Sequence, residues 1–279
     1  MTKTLLIVNV VIFLIDIFSR PGPVHPDFGV INTPFAFTIH SAFKEWRLWE
    51  LITFQFLHHN VLHLVFNCVG LFFFAPWIER WWGAARFTAF YLLSGAAGAL
   101  FFTLLTFTGI LPDRGPLPAD YVPLVGASAG LYGVLIGTAV IAPNAMVSLL
   151  FPPVTLAMRT FALWIIGIAV AVIFGDIIFG GASFQNSGGE AGHLGGAILG
   201  FVLMKFPFLL GKNGASKIIR PREFRKKNPP KLRPRSELDV ASANEVDRIL
   251  DKISREGMQS LTDREREILQ NASKPKDES

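Results

Sequence analysis

The sequence has little charge and almost no cysteine. Only 17% of its 279 residues are Asp, Glu, Lys or Arg, whereas an ordinary soluble domain carries about 25%. Hydrophobic residues make up 51% and the mean hydropathy is +0.43. The single cysteine, Cys68, lies in an apolar segment and excludes an intrachain disulfide. These absences indicate a polytopic membrane protein with a polar C-terminal tail.

Acidic residues are also scarce where basic residues are dense. Eleven Lys and Arg residues lie between Lys205 and Arg235, and Glu223 is the one acid among them. A basic segment can bind nucleic acid, but one that follows a membrane helix more often faces anionic lipid on the cytoplasmic side. We therefore expect membrane lipid, and no nucleic acid, as the partner of this segment.

Six apolar segments come near the length that about 30 Å of hydrocarbon requires. They are Thr4–Phe18, Glu50–Trp77, Arg86–Leu105, Ser128–Ala142, Thr155–Phe179 and Ala191–Phe206. This pattern predicts an all-α membrane protein with a six-transmembrane-helix bundle. The first segment resembles a signal peptide, but small-residue cleavage signals are absent after it, so we expect it to be retained. Between helices 1 and 2, Trp46 and Trp49 flank Arg47, which predicts an interfacial loop.

Positive charge predicts the orientation of these segments. With six alternating spans, one side of the membrane receives Lys3, Arg80, Arg86, Arg159 and the basic tail. The positive-inside rule then places both termini in the cytoplasm, and the composition fits a bacterial inner membrane. The polar residues Ser128, His193, His63 and Asn67 consequently fall in the outer half of the membrane.

These four polar residues each have an ordinary explanation when taken alone. Ser128 is a helix-packing serine, His193 a packing or proton-relay histidine, and the i, i+4 pair His63 and Asn67 a hydrogen-bonded pair between helices. Together they supply a nucleophile, a base and donors for an oxyanion, which acyl transfer needs. Their shared depth in the membrane favours the catalytic interpretation.

Small residues recur on the two helices that carry Ser128 and His193. Helix 4 has Gly130, Gly133 and Gly137, and helix 6 has Gly192, Gly196 and Gly200. Such faces allow close helix approach, which a Ser–His hydrogen bond between the helices requires. Tyr132 lies one turn below Ser128 and is expected to stack on His193.

The motifs His63-x-x-x-Asn67, Gly126-x-Ser128-x-Gly130 and His193-x-x-Gly196-x-x-x-Gly200 resemble those of the rhomboid intramembrane serine proteases. The resemblance covers roughly residues 1–207. It implies peptide-bond hydrolysis in or near transmembrane segments of membrane proteins by a Ser–His dyad, without a cofactor or metal.

The resemblance also implies a role for each matching residue. Ser128 is the nucleophile and His193 the general base, while His63, Asn67 and the Ser128 backbone N–H hold the oxyanion. The residues expected to support the site are Tyr132, Gly126, Gly196 and Gly200. No third member of a catalytic triad is apparent. Asp176 is expected to make a helix-end or loop hydrogen bond. Glu190, one turn before His193, could bias the histidine, but we expect it to lie in water at the interface.

The chain is predicted to divide into a membrane protease domain (residues 1–207), a basic Pro-rich linker (208–243) and a small helical hairpin (244–273). Asn244 is expected to cap the first hairpin helix and Gly257 to end it. The spacing from Thr262 to Glu265 predicts a capping box that opens the second helix. The hairpin is too small for a sizeable core, so we expect it to contact a cytoplasmic partner.

Two further hypotheses compete with a protease. One is a catalytically inactive rhomboid-like protein that binds transmembrane helices; such proteins typically lack the serine or histidine, and this chain has both. The other is a transporter, which would show repeat symmetry and charge at mid-depth, and neither is visible in the six segments.

Overall fold

The computed structural model describes residues 1–18, 34–111, 118–149, 153–179, 187–211 and 237–272. The chain forms two compact units, Met1–Ile218 and Ile219–Ser279. The helices of the first unit are α1 (Thr2–Phe18), α2 (Ile39–Lys44), α3 (Glu50–Thr53), α4 (Val61–Phe107), α5 (Ser128–Ile141), α6 (Met158–Ile178) and α7 (Ser187–Lys205). The second unit contains α8 (Glu237–Glu256) and α9 (Asp263–Ala272). This mostly helical architecture agrees with the predicted all-α membrane protein.

Within the described ranges, two helices are long and apolar enough to cross a membrane, namely α4 and α6. Helix α5 is apolar but shorter. Helix α4 is interrupted at Gly83, where φ is 78° and ψ is 169°, so it consists of two arms. These arms correspond to the second and third predicted segments. The total number of spans stays a prediction.

The second apolar helix begins later than predicted. We expected it to start near Glu50, but α3 and a 3₁₀ turn (Phe54–Phe56) end at Leu57, whose backbone is extended. Helix α4 then begins at Val61, with the Asn60 side chain accepting a hydrogen bond from the His63 backbone N–H at 2.8 Å. Asparagine is among the best N-cap residues, and the apolar composition of the preceding turns concealed this boundary.

The fifth and sixth predicted segments also have shifted starts. Residues Thr155–Ala157 form a strand, β2, that pairs antiparallel with β1 (Met146–Ser148), and α6 starts after it. Helix α7 begins at Ser187, four residues before the predicted start. The buried Asp176 side chain on α6 accepts a hydrogen bond from the Ser187 backbone N–H at 3.1 Å, and this contact between distant residues satisfies the start of α7.

Helices α4, α5 and α7 form the core of the first unit through contacts at small residues. A Cβ placed on Gly200 would lie 2.6 Å from the Gly133 Cα, and one on Gly196 would overlap the Ala129 carbonyl oxygen. The predicted close approach of helices 4 and 6 therefore occurs at Gly133, Gly196 and Gly200.

The remaining glycines of the predicted face have other neighbours. A Cβ on Gly130 would lie 2.6 Å from the Tyr91 ring of α4, and one on Gly137 would lie 2.8 Å from Ile78 of α4. Gly192 faces Leu124 at ordinary contact distance. The contact between helices 4 and 6 therefore involves only part of the small-residue faces. Helix α5 is packed between α4 and α7, so its small residues serve both neighbours.

Three apolar residues of the described stretch before α4 are packed in the core. Phe37, Ile39 and Ala42 are almost fully buried, in a cluster with Phe54. The Phe37 N–H donates to the Leu124 carbonyl at 3.2 Å, and the Leu124 N–H donates to the Phe37 carbonyl at 2.8 Å. This backbone pairing fixes the stretch that leads into α5. The interfacial location of the segment stays a prediction.

The second unit is a pair of helices. Helix α8 begins at Glu237, inside the predicted linker, so the expected cap at Asn244 was wrong. The predicted end at Gly257 is confirmed, because α8 stops at Glu256 and Gly257 has φ 83°. Residues 212–236 of the predicted linker lie outside the described residues.

Candidate active site

Ser128 is the first residue of α5 and follows a constrained glycine. Gly126 has φ 124°, and its N–H donates to the Phe54 carbonyl at 3.0 Å. A Cβ on Gly126 would lie 2.7 Å from Cε1 of His63 and 3.5 Å from Oγ of Ser128. Glycine is thus required here both for its backbone conformation and for the space that the His63 ring occupies.

His193 of α7 is in hydrogen-bond contact with Ser128 of α5. The Nε2 atom of His193 lies 2.8 Å from Oγ of Ser128. The His193 side chain is 16% exposed, so the pair is largely shielded from solvent. A nucleophile and a base at this distance have the geometry that proton transfer requires.

Tyr132 lies against the imidazole of His193. Their ring centroids are 4.2 Å apart and their planes differ by 11°. Such offset ring packing holds both rings in place. The structure therefore brings Ser128, His193 and Tyr132 together in the arrangement that their spacing suggests.

Glu190 is the residue of this site whose burial the sequence interpretation misjudged. Its Oε2 lies 2.8 Å from Nδ1 of His193, and its side chain is 12% exposed. The expectation that Glu190 lies in water was therefore wrong, and the carboxyl contacts the histidine instead. The i, i+3 spacing of Glu190 and His193 was the available signal, since residues three apart share a helix face.

The two residues expected to stabilise an oxyanion lie one turn apart on α4. The His63 ring lies beside Gly126 and therefore near Ser128. Asn67 is 3% exposed, and its Nδ2 donates to the His63 carbonyl at 2.9 Å. One N–H of Asn67 is thus engaged within its own helix. The backbone N–H of Ser128, at the start of α5, has no acceptor within that helix.

Two more histidines surround His63. The ring of His58 is 5.1 Å and that of His59 is 5.7 Å from the ring of His63. His58 is buried and His59 is exposed. Neither side chain caps α4, because Asn60 is its N-cap residue.

Asp176 lies at the C-terminal end of α6, away from the imidazole contacts described above. It is fully buried and accepts the hydrogen bond from Ser187 at the start of α7. The prediction of a helix-end hydrogen bond is therefore confirmed. This contact fixes the first turn of the helix that carries Glu190 and His193.

The stretch before α5 is also tied to α2 by polar contacts. Lys44 donates to Asp120 at 2.8 Å, and this hydrogen bond lowers the pKa of the Asp120 carboxyl below its ordinary value of 3.8. The Tyr121 ring stacks on His40 at 4.2 Å. Together with the Phe37–Leu124 pairing, these contacts hold the residues that lead to Ser128.

Comparisons with known proteins match two parts of the chain. The Rhomboid domain family matches residues 45–209, which is more than half of the chain. Residues 240–275 match a family of unknown function, DUF6576.

Three curated relatives illustrate the range of similarity. Rhomboid protease AarA of Providencia stuartii is 26% identical over 209 residues, covering 73% of this chain and 70% of the relative. Rhomboid protease GluP of Bacillus subtilis is 32% identical over 167 residues, covering 58% of this chain and 26% of the relative. Inactive RHOMBOID-like protein 8 of Arabidopsis thaliana is 34% identical over 58 residues, covering 21% of this chain and 16% of the relative. From the family match and the helical core, we conclude that the chain is an integral membrane protein and belongs to the rhomboid family.

Proposed function

We propose that this protein is an intramembrane serine endopeptidase that hydrolyses peptide bonds in or near transmembrane segments of membrane proteins. The observation that carries the proposal is the 2.8 Å contact between Oγ of Ser128 and Nε2 of His193. Two helices must approach closely to make this contact, and Gly196 and Gly200 permit that approach. A serine that only packs between helices would need no base at this position.

Acylation begins when Nε2 of His193 takes the proton of the Ser128 hydroxyl. Oγ bonds to the scissile carbonyl carbon, and the π electrons of the carbonyl move to its oxygen. When the tetrahedral intermediate collapses, the C–N bond breaks and His193 gives its proton to the leaving amine. The products of this half-reaction are a free amine fragment and an acyl ester on Ser128.

Deacylation repeats these steps with water. His193 takes a proton from a water molecule, whose oxygen attacks the ester carbon. The C–Oγ bond then breaks, and the proton returns from His193 to Oγ of Ser128. The product leaves as a carboxylic acid, which loses its remaining proton to water, and the resting enzyme is restored.

The oxyanion of both intermediates is held by hydrogen-bond donors. The backbone N–H of Ser128 supplies one donor at the start of α5, where the helix dipole favours negative charge. The His63 ring beside Gly126 supplies a second donor. The Asn67 amide supplies a third through the N–H that does not donate to the His63 carbonyl. Loss of one such donor typically slows catalysis by about 10²–10³-fold.

In the membrane, the proposed arrangement has six spans. They are α1, the two arms of α4, α5, α6 and α7, with both termini in the cytoplasm of a bacterial cell. This places Ser128 and the start of α7 toward the outer surface, where water can enter. The tail of the chain then lies in the cytoplasm, where the basic segment meets anionic lipid and the hairpin is available to a partner.

The first experiment is cleavage of a single-span reporter in liposomes. We expect product from the wild type and none above background from Ser128→Ala or His193→Ala, because each variant removes one half of the proton-transfer pair. Equal product from all three proteins would contradict the proposal and indicate another protease.

If the wild type does not cleave the reporter, labelling with a serine-reactive probe tests whether Ser128 is nucleophilic. Labelling of the wild type, with none of Ser128→Ala, supports the protease. Neither cleavage nor labelling would favour the alternative function, a catalytically inactive rhomboid-like protein that binds transmembrane helices. The inactive relative from Arabidopsis is the reason to keep that alternative in the test.

A further inference from the structure

The most informative contact outside the expected dyad joins Glu190 to His193. The Oε2–Nδ1 distance is 2.8 Å, on the side of the imidazole opposite the Ser128 contact. Both side chains are mostly buried, with 12% and 16% of their surface exposed. The hydroxyl, imidazole and carboxylate therefore form one continuous hydrogen-bonded chain.

We propose that Glu190 is a positioning residue for His193, so that this protein works with a Ser–His–Glu relay instead of an isolated dyad. The inference rests on the proposed function and deepens it. Glu190 contacts neither the nucleophile nor the scissile bond; it acts through the imidazole.

The tautomer of His193 gives the chemical reason for this role. To accept the Ser128 proton, Nε2 must be unprotonated, so the single ring proton of the neutral imidazole must lie on Nδ1. A carboxylate only accepts hydrogen bonds, so ionised Glu190 favours the Nδ1–H tautomer. Once Nε2 has taken the Ser128 proton, the same carboxylate faces an imidazolium and stabilises its charge.

Ring orientation gives a second reason. The imidazole must keep Nε2 aimed at Ser128 while its own helix packs against α5. Tyr132 stacks on one face of the ring and limits tilting, and the Glu190 contact at Nδ1 limits rotation in the plane of the ring. The contacts with Tyr132 and Glu190 thus restrict two different motions of the His193 ring, and a catalytic group must be held in a defined orientation.

The local structure defines where the Glu190 carboxyl lies. Glu190 is the fourth residue of α7 and lies in its first turn, where the helix dipole favours negative charge. Asp176 holds the backbone of Ser187 in the same turn. The position of the carboxylate is thus defined by the start of the helix, three residues before the histidine.

The test compares three substitutions of Glu190 in the full-length protein with the liposome reporter. Glu190→Gln keeps the size of the side chain but loses the charge, and its NH₂ group can donate to Nδ1 and favour the wrong tautomer. We expect kcat to fall by about 10–10³-fold in Glu190→Gln and Glu190→Ala, with KM changed by less than about twofold. Glu190→Asp should recover part of this loss because it restores the carboxylate.

A purely structural role predicts a different result. Glu190→Gln would then retain kcat, because it fills the same space, and any loss in Glu190→Ala would be accompanied by a lower melting temperature. The exposed Glu267→Gln in α9 is the matched control and should leave kcat and KM unchanged. Unchanged kcat in Glu190→Gln would overturn the proposal.

A spectroscopic measurement separates this proposal from the proposed function. The measurement is NMR of protein with ¹⁵N-labelled histidine. The ring nitrogen signals of His193 report its tautomer, and they are assigned by their loss in His193→Ala. We expect the Nδ1–H form in the wild type and loss of that preference in Glu190→Ala. If the wild type cleaves nothing and its serine is not labelled, the protease proposal fails while this result still decides the Glu190–His193 relation. The same tautomer in both proteins would contradict the inference.

Discussion

At the scale of single residues, the site depends on where the His63 ring and Ser128 lie relative to Gly126. The positive φ of Gly126 turns the chain into α5, and the absence of a side chain leaves room for the imidazole. A glycine motif around a serine would ordinarily suggest a strand–turn–helix of a soluble hydrolase. Here it follows an irregular segment paired to Phe37, and it opens an apolar helix.

We predict that Gly126→Ala removes activity. The substitution forces an L-residue into a positive φ, which costs about 1–2 kcal/mol, and places a methyl group 2.7 Å from the His63 ring. Displacement of His63 should lower kcat by about 10²-fold, the typical effect of losing one oxyanion donor. The measurement is reporter cleavage together with a melting curve.

Gly109→Ala is the matched control for Gly126→Ala. Gly109 also has a positive φ, 69°, but a Cβ there meets nothing within 4 Å. It should lose a similar amount of stability and keep its kcat within about twofold, because only strain is added. A parallel loss of activity in both variants would show that strain alone, and not the contact with His63, explains the effect.

At the scale of helices, the contact between Ser128 and His193 depends on the separation of α5 and α7. Ser128 and His193 come from different helices, so their 2.8 Å distance is set by the contacts of Gly196 with Ala129 and of Gly200 with Gly133. Because these contacts are between backbone atoms, no flexible side chain can move to accommodate an added group. A small increase in helix separation is therefore transmitted directly to the Ser–His distance.

We predict that Gly196→Ala lowers both activity and stability. The added methyl group overlaps the Ala129 carbonyl oxygen, and overpacking of this kind costs about 1–3 kcal/mol. The helices must separate, which lengthens the Ser–His contact and should reduce kcat at least about tenfold. Reporter kinetics and tryptophan-fluorescence melting measure the two effects.

Gly167→Ala provides the comparison for this helix prediction. Gly167 is also inside a helix, α6, but a Cβ there meets nothing within 4 Å. Alanine stabilises a helix interior by about 1 kcal/mol relative to glycine. The melting temperature of Gly167→Ala should therefore stay the same or rise, and its kcat should be unchanged. Full activity in Gly196→Ala would mean that the helix contact does not set the catalytic distance.

At the scale of the whole molecule, the chain consists of two units, and the described site residues all belong to the first. The second unit is stabilised by a capping box and an ion pair that converge on Glu265. The Thr262 N–H donates to its carboxylate at 2.8 Å and Lys252 donates at 3.0 Å. These contacts, the Thr262 backbone foremost, lower the pKa of Glu265 from 4.5 to about 2.

We predict that acid unfolds the helical pair through Glu265. A carboxyl whose pKa is lowered by folding stabilises the folded state fully above its ordinary pKa, and this contribution is lost as the pH falls through the folded pKa. The NMR signals of α9 in the full-length protein should therefore keep helical shifts above about pH 4.5 and lose them toward pH 2.

Substitution of Glu265 tests the same contacts at neutral pH. Glu265→Ala should reduce the helical shifts of α9 at pH 7, whereas Glu267→Ala, an exposed position on the same helix, should change them little. Reporter cleavage should stay within about twofold in both, because the proposed catalytic groups lie in the other unit. Loss of cleavage in Glu265→Ala alone would show that the tail controls the enzyme.

The sequence alone determined the features that depend on local spacing. Apolar runs of suitable length indicated the all-α membrane architecture, and the Gly257 stop and the Thr262–Glu265 capping box followed from the preferences of single residues near helix ends. The motifs around His63, Ser128 and His193 identified the candidate site before any distance was known.

The tertiary structure decided what depends on residues far apart in the chain. The start of α7 was fixed by Asp176, eleven residues earlier, and helix α5 directed its glycines to two neighbours instead of one. Glu190 was visible as a residue one turn before His193, but its burial against Nδ1 depends on how α7 packs against its neighbours. The packing between elements determines which side chains are buried and which hydrogen bonds they make. The local periodicity of the sequence does not contain this information.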